Sequence, residues 1–253
     1  MIALVPGFLQ SPEDLSELAA ALEARDVGAV RLDLLELARG RNAEDAARRL
    51  LDALPGPDAV LVGYSMGARL CLAAALAAPR RIRGLVLLSG SPGLVDDAAR
   101  RERRALDEER ACTLERDPEA FVSSWGALPL FAPLRATPAF ERLQARRRTL
   151  IRGPRATAWA SVLRALGPGA MPSLWPSLPR LDVPVLLLSG ALDEAYVQHA
   201  QRAAALLSRP CVDVVDGVGH ALPLEAPDAV ADRLRAFVAS LAPTPTAQME
   251  DRP

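Results

Sequence analysis

The chain has 253 residues, a formal net charge of −1 and a hydrophobic fraction of 50%. A chain of this size can bury one full α/β core with an insertion, and its small net charge gives no reason to expect a nucleic acid or an anionic membrane as partner. No apolar stretch approaches the roughly 20 residues of a membrane span. The apolar start, Met1 to Val5, is too short for a signal peptide and has no basic residues before it.

The cysteines and histidines of the chain narrow the class of protein further. The cysteines Cys71, Cys112 and Cys211 are scattered and odd in number, so we expect reduced, mostly buried thiols in a cytoplasmic protein. The only histidines are His199 and His220, and no metal-ligand spacing occurs, so we expect no metal site. Every basic residue is arginine, whose planar guanidinium suits carboxylates.

Short apolar runs alternate with helical periods along the chain. The predicted strands are Ile2–Val5, Ala29–Leu34, Ala59–Val62, Gly84–Ser89, Val185–Ser189 and Val212–Val215. The predicted helices are Pro12–Ala24, Ala43–Leu54, Met66–Ala78, Tyr196–Ser208 and Pro227–Leu241. Such alternation is typical of an α/β fold, in which crossover helices cover a parallel sheet.

The alternation stops between about Gly93 and Leu181. Arginine-rich helical patterns, the three tryptophans and many prolines fill this stretch, and no convincing strand lies inside it. We therefore predict an α/β core formed by residues 1–94 and 181–242, a helical cap inserted as residues 95–180, and a disordered tail over residues 243–253.

The most informative motif is Gly63-Tyr64-Ser65-Met66-Gly67, between a predicted strand and a predicted helix. This G-x-S-x-G pattern is typical of a nucleophile elbow, a sharp turn that strains the serine and projects its Oγ above the sheet edge. The flanking glycines remove side chains that would clash in such a turn. The competing interpretation, a small residue in an ordinary turn, fits the strand-to-helix context less well.

A serine hydroxyl needs an imidazole to take its proton and a carboxylate to orient that imidazole. In the α/β-hydrolase fold these residues follow the serine in the order acid, then histidine. Asp193 follows the fifth predicted strand, and His220 ends a glycine-rich loop after the sixth. Both leave the carboxyl ends of strands, where open α/β sheets place their sites. We therefore predict a catalytic triad of Ser65, Asp193 and His220.

Alternatives exist for two of these positions. Glu194 and, less favourably, Asp216 compete with Asp193 for the role of the acid, and Asp193 could instead be a turn or cap residue. His199 lies inside a predicted helix and is expected on the protein surface, which leaves His220 as the candidate base.

An oxyanion hole needs two backbone N–H groups. One is expected from Met66, the residue after the nucleophile, and the other from the loop after the first strand, where Phe8 is the candidate. The ring of Phe8 could also close the pocket, because the ring and the N–H are separate parts of the residue.

Several segments beyond the elbow carry a family resemblance. The chain resembles the 2-succinyl-6-hydroxy-2,4-cyclohexadiene-1-carboxylate synthase family of menaquinone biosynthesis. The motifs that carry the likeness are Gly63–Arg69, Ser91-Pro92-Gly93-Leu94, the basic helix Arg100–Asp107, Phe121-Val122-Ser123-Ser124-Trp125 with Pro129-Leu130-Phe131, and Leu163–Trp175. The motifs in the predicted cap are more specific than the elbow, which all α/β hydrolases share.

The resemblance implies a lyase of the α/β-hydrolase fold, in which the triad abstracts a proton and pyruvate is eliminated from a succinyl-cyclohexene substrate. It implies no metal and no organic cofactor. The partner would be a small-molecule carboxylate, with no nucleic acid or membrane, and the oligomeric state is not indicated.

The resemblance also implies substrate-binding residues. Arg69 and Arg103 match arginines of the family, and Trp125 matches a pocket tryptophan. A third arginine falls within Arg146–Arg152, where Arg148 is the candidate. Arg69 lies one helical turn after Ser65, so both can face one cleft. A solvated helix face is the competing interpretation for Arg69 and, more strongly, for the arginine run around Arg103.

The chain departs from the family pattern at two loops. Pro6-Gly7 stands where the family has His-Gly, and Asp33–Gly40 replaces a D-x-P-G-H-G loop that shapes the rim of the pocket. The chain also begins at the equivalent of the third of the usual eight strands, so we expect about six strands, mainly parallel.

Two other classes of function compete with the lyase. A serine esterase or carbon–carbon bond hydrolase would use Ser65 as a covalent nucleophile, and an apolar pocket would favour it over arginines that converge on the site. A non-catalytic binding protein of the same fold is disfavoured, because all three candidate triad residues are present.

Overall fold

The computed structural model describes residues 1–56 and 58–241. Six strands form one sheet in the order β2-β1-β3-β4-β5-β6, with every neighbouring pair parallel. The strands are β1 Ile2–Val5, β2 Ala29–Arg31, β3 Val60–Tyr64, β4 Gly84–Leu88, β5 Val185–Gly190 and β6 Pro210–Val215. The predicted fold class, an α/β-hydrolase fold with about six mainly parallel strands, is confirmed.

Helices connect the strands and cover both faces of the sheet. In the described part of the chain, the α-helices are α1 Ser16–Glu23, α2 Leu34–Ala38, α3 Ala43–Asp52, α4 Met66–Ala77, α5 Asp97–Arg116, α6 Pro118–Gly126, α7 Ala132–Arg135, α8 Pro138–Leu150, α9 Arg155–Leu166, α10 Glu194–Ala204, α11 Leu222–Glu225 and α12 Pro227–Ser240. Among the described residues, no helix combines the length and the apolar character needed to cross a membrane.

The sheet separates two apolar clusters, because successive side chains of a strand point to opposite faces. Ala3 and Val5 of β1 join the cluster that includes α3, α4 and α9, whereas Ile2 and Leu4 join the cluster that includes α1 and α12. Strands β1, β3, β4 and β5 are buried along their whole length. Full burial of each large aliphatic side chain contributes about 1.5–3 kcal/mol, so the carboxyl ends of these strands have a rigid support.

Two local predictions are wrong. The second strand ends at Arg31, because the Asp33 side chain accepts hydrogen bonds from the N–H groups of Leu35 and Glu36 and so starts helix α2. The cysteines are not mostly buried. Cys71 is buried in α4, but Cys112 and Cys211 are exposed, on α5 and on the edge strand β6.

The segment between β4 and β5, here called the insert, contains α5 to α9 and no strand among its residues, all of which are described. Its exact division from the core at residues 95 and 180 stays a prediction. The predicted disordered tail, residues 243–253, lies outside the described residues.

Helix α4 approaches the end of β1 so closely that a side chain at Gly67 would collide with the carbonyl oxygens of Val5 and Pro6. We expect Gly67→Ala to lower the free energy of unfolding by about 3 kcal/mol, because the collision is with backbone that cannot rotate away. Urea denaturation measures this. Gly28→Ala is the matched control, since a Cβ there meets nothing within 4 Å. Equal stability of the two variants would contradict the prediction.

Candidate active site

The candidate residues lie at one edge of the sheet. Phe8 follows β1, Ser65 follows β3, Asp193 follows β5 and His220 follows β6. All four strands are parallel, so their carboxyl ends meet at the same edge. The topology thus brings together residues up to 212 positions apart, from Phe8 to His220.

Ser65 has the strained backbone expected of an elbow. Its φ of 53° and ψ of −110° lie in a region that side chains disfavour, at a cost of about 1–3 kcal/mol. The Ser65 N–H donates to the carbonyl oxygen of Leu88 at 2.9 Å, which anchors the turn to β4. A Cβ at Gly63 would meet the backbone of Ala68, so only glycine permits the tight return of the chain.

The three predicted triad residues form one hydrogen-bonded chain. Ser65 Oγ lies 3.0 Å from His220 Nε2, and Asp193 Oδ2 lies 2.7 Å from His220 Nδ1. The tautomer with a proton on Nδ1 satisfies both contacts, with the serine hydroxyl donating to Nε2. His220 is only 2% exposed, so the carboxylate acts on the imidazole away from water. This geometry allows the imidazole to accept a proton through Ser65.

The competing residues do not reach His220. Glu194 is exposed at the start of α10, and Asp216 is exposed in the loop after β6. His199 lies on α10, as expected, but it is half-buried between the rings of Tyr196 and Trp175. Burial lowers the pKa of His199.

The loops that carry the acid and the base hold each other in place. Ala191 N–H donates to Val215 O, and Leu192 N–H donates to Val218 O, both at 2.9 Å. A Cβ at Gly190 would collide with the Val218 carbonyl oxygen, so the two loops are in direct backbone contact. The separation between Asp193 and His220 is therefore set by backbone contacts.

The two candidate oxyanion donors are available. Neither the Phe8 nor the Met66 N–H donates a hydrogen bond to another described residue. The Phe8 loop is held by Gln10, whose Oε1 accepts from Gly7 N–H at 2.8 Å. The Phe8 ring packs at steep angles against Trp125 and Trp159 of the insert, with centroids 5.2 and 5.5 Å apart.

Arg69 is a buried cation close to the triad. It is 5% exposed, and its Nη1 donates to the carbonyl oxygen of Leu166 at 3.3 Å. Its Nε has no hydrogen-bond partner, and no described carboxylate forms an ion pair with it. Burial lowers the pKa of Arg69 and the charge of Arg103 adds to this effect, whereas Tyr196 and the carboxylate of Asp107 oppose it. Arg69 and Arg103 are thus close enough to interact.

Arg103 and Trp125 come from the insert. Arg103 Nε donates to Asp107 Oδ1 at 2.9 Å, and Asp107 is itself buried. Trp125 stacks on Phe121 with centroids 5.6 Å apart, and its buried Nε1 has no hydrogen-bond partner in the described chain. An ion pair therefore orients the guanidinium of Arg103, and the indole of Trp125 retains a free donor.

The structure does not bring Arg148 to the site. Its side chain is 46% exposed and pairs with Glu119 on the surface. The preceding residue, Arg147, points inward instead, because neighbouring residues of a helix differ by about 100° in direction. Arg147 is 1% exposed, its Cζ lies 4.8 Å from the Phe131 ring centroid, and its Nη1 donates to Gln144 Oε1 at 3.2 Å.

The charge of Arg147 is buried, with Tyr64 and Asp14 nearby. Burial lowers the pKa of Arg147 to about 10, and the nearby Tyr64 and Asp14 oppose this shift. Its Nε has no partner, and no described carboxylate lies within ion-pairing distance of it. Arg147 is the buried arginine of the segment Arg146–Arg152, in which a substrate-binding arginine was predicted.

Tyr64 and Tyr196 also line the histidine, although the sequence did not single them out. Their ring centroids lie 5.6 and 4.6 Å from that of His220. Burial raises the pKa of both phenols, so both stay protonated donors at neutral pH. The only signals in the sequence were the elbow position of Tyr64 and the position of Tyr196 three residues after Asp193.

Among the described residues, no group of three or more histidine, cysteine, aspartate or glutamate side chains could hold a metal ion. The arrangement of an elbow serine, a buried imidazole and a strand-end carboxylate on a parallel sheet defines a class of enzymes. The model of the alpha/beta hydrolase family matches residues 2–233. The chain therefore belongs to the alpha/beta hydrolase family.

Its relatives within that family have a more specific name. The putative 2-succinyl-6-hydroxy-2,4-cyclohexadiene-1-carboxylate synthase of Bacillus subtilis (strain 168) is 34% identical over 79% of this chain and 73% of the relative. The synthase of that name from Serratia proteamaculans (strain 568) is 36% identical over 70% of this chain and 67% of the relative. The solved structure of MenH from S. aureus matches with a TM-score of 0.85 and 29% identity, covering 94% of this chain and 92% of that one. The predicted family resemblance is confirmed.

The buried charge of Arg147 lowers the free energy of unfolding by an amount that can be measured. We expect Arg147→Met to raise the free energy of unfolding by about 1–4 kcal/mol, because an apolar side chain of similar length removes a desolvated charge. This destabilisation is present at neutral pH. It declines only as the pH rises above about 10, the pKa of Arg147 in the folded state, because the buried group then loses its charge. Denaturant titration measures it. Arg148→Met, the exposed control, should change stability by less than about 0.5 kcal/mol. A strongly destabilised Arg147→Met would reveal a structural partner for this guanidinium.

Proposed function

We propose that the protein is a lyase that eliminates pyruvate from 2-succinyl-5-enolpyruvyl-6-hydroxy-3-cyclohexene-1-carboxylate, a step of menaquinone biosynthesis. Ser65, His220 and Asp193 would remove the proton, and Phe8 and Met66 would supply the oxyanion hole. Arg69, Arg103 and Arg147 would bind the carboxylates of the substrate beside Trp125. The names of the relatives support this reaction, and the charge of the site supports it independently.

The observation that carries the proposal is a pair of buried guanidinium groups, Arg69 on the helix that follows Ser65 and Arg147 on α8 of the insert. Arg69 and Arg147 are both at least nine-tenths buried, and each keeps an unpartnered Nε. An uncompensated buried charge costs several kcal/mol, which a polyanionic ligand would offset through paired N–H···O bonds. A neutral ester would leave both cations unpaired. The site therefore suits a substrate with several carboxylates.

The chemistry of the substrate fits the triad. The ring carbon that bears the succinyl group lies next to a ketone, so removal of its proton transfers negative charge to the ketone oxygen. Ser65 Oγ would accept this proton while its own proton passes to His220 Nε2, which lies 3.0 Å away. Asp193 would stabilise the resulting imidazolium through its 2.7 Å contact. The N–H groups of Phe8 and Met66 would stabilise the oxyanion.

Elimination then completes the electron balance. The electrons of the broken C–H bond form a ring double bond, the existing double bond shifts by one position, and the ring C–O bond to the enolpyruvyl group breaks. Pyruvate leaves as its enolate and becomes pyruvate by accepting a proton at carbon, for which the imidazolium of His220 is a suitable donor. No covalent acyl-enzyme forms, so Ser65 acts as a proton carrier. We place this reaction in the cytoplasm, as the cysteine usage predicts.

The first test measures pyruvate release from freshly generated substrate, against its spontaneous decay. We expect rapid release with the wild-type protein and a loss of about 10⁴-fold or more in Ser65→Ala, because the proton relay is interrupted. Circular dichroism should show that the variant is folded. Absence of acceleration in a wild-type protein that hydrolyses nitrophenyl esters would refute the lyase and establish a serine hydrolase.

A second test compares how the inward-facing arginines and the exposed Arg148 affect substrate binding. We expect Arg69→Ala and Arg147→Ala each to raise KM by about 10- to 100-fold, because a charge-assisted pair contributes about 1.5–3 kcal/mol. Arg148→Ala is the matched control and should leave KM unchanged, since its side chain faces solvent. Unchanged KM in both inward-facing variants would remove the arginines from the substrate site.

A further inference from the structure

The loop that carries His220 is held on both sides by one carboxylate. Gly219 N–H donates to Glu225 Oε2 at 2.7 Å, and Ala221 N–H donates to Glu225 Oε1 at 2.9 Å. These two N–H groups belong to the residues immediately before and after His220. Both oxygens of Glu225 therefore bind the backbone from which the imidazole projects.

Glu225 is itself rigidly placed. It ends helix α11, and its own N–H donates back to the carbonyl oxygen of Ala221 at 2.9 Å. Ala221 and Glu225 thus bind each other in both directions. Leu222 and Pro223 of the same short helix are buried in the apolar core, so the carboxylate has little freedom to move.

The charge of Glu225 has no competing partner. No described arginine lies within ion-pairing distance of it, although the chain has 30 arginine residues. Its charge also acts on Tyr64, whose pKa it helps to raise, after the larger effect of burial. Hydrogen bonds to a charged acceptor are about twice as strong as neutral ones. Both oxygens of the Glu225 carboxylate therefore accept hydrogen bonds from the loop that carries His220.

The space around this contact is fully occupied. A Cβ at Gly219 would lie 2.6 Å from Pro133 Cγ of α7 and 3.2 Å from Glu225 Oε1. The histidine loop is thus confined between a carboxylate of the core and a proline of the insert. No other residue than glycine fits between them.

We propose that Glu225 is a positioning residue of the catalytic histidine. By fixing the peptide groups on both sides of His220, it keeps Nε2 within hydrogen-bond distance of Ser65 Oγ while Asp193 orients the other nitrogen. A misplacement of about 1 Å in such a relay costs about 10²-fold in rate. The inference deepens the proposed function, because it assumes that His220 acts as the base, but it does not depend on which substrate the site accepts.

The test uses Glu225→Gln, which keeps the shape of the side chain but presents an NH₂ group to one of the two N–H donors. The readout is the rate at which a fluorophosphonate labels Ser65, followed by mass spectrometry, because labelling requires the Ser65–His220 contact and no natural substrate. We expect labelling and kcat to fall about 10²-fold, with KM within about twofold of the wild-type value. The downfield proton resonance of the His220–Asp193 hydrogen bond should broaden.

The matched control is Asp228→Asn, a nearby exposed carboxylate that pairs with Arg25 and not with the loop. It should label at the wild-type rate. If Glu225→Gln does not fold, Glu225→Asp tests the same point, since a shorter carboxylate reaches only one N–H, and labelling should slow about tenfold. A wild-type labelling rate and an unaltered resonance in either folded variant would overturn the proposal. If the wild-type protein is labelled by the fluorophosphonate but does not release pyruvate, only the proposed lyase reaction is refuted.

Discussion

The close contact between helix α4 and the carboxyl end of β1 is the constraint on which the rest of the site depends. Gly67 lies directly against the carbonyl oxygens of Val5 and Pro6, and this proximity is possible only without a side chain. The same contact places the first N–H of α4 beside the loop that contains Phe8. Ser65, immediately before this helix, has a strained backbone conformation, at a cost that the fully buried strands around it can sustain. One packing contact thus ties the start of α4, where Ser65 and Met66 lie, to the end of β1 and the loop that contains Phe8.

Electrostatics in the site work against the stability of the fold. Hydrophobic burial stabilises the sheet, whereas the guanidinium groups of Arg69 and Arg147 are desolvated without a carboxylate partner among the described residues. Natural proteins accept such costs where function needs them. Arg103 differs, because Asp107 already pairs with it. The three arginines therefore divide into two buried ones whose Nε has no hydrogen-bond partner among the described residues and one that is already paired with a carboxylate.

The sequence was most informative about the candidate triad, whose placement follows from the order of the strands. The carboxyl ends of parallel strands meet, so a serine, an acid and a histidine after three separate strands could be placed together without a structure. The phase of a helix within a run of like residues was not predictable: Arg146, Arg147 and Arg148 are chemically identical, and only packing selects the one that faces inward. Glu225 could not be singled out from the sequence, because its proposed role in positioning His220 depends on backbone N–H groups, and these are not specific to any residue type. Helix α2 was missed because a single capping side chain, Asp33, starts it.

The aromatic contacts of Phe8 have a consequence for the timing of turnover. Phe8, which we propose as an oxyanion donor through its N–H, is also the residue whose ring is inserted among Phe121, Trp125 and Trp159. These three rings belong to α6 and α9 of the insert. A displacement of those helices would move Phe8 as well, because its ring packs among theirs. If Phe8 supplies the oxyanion N–H as proposed, any movement of the insert that admits a ligand would also shift that donor.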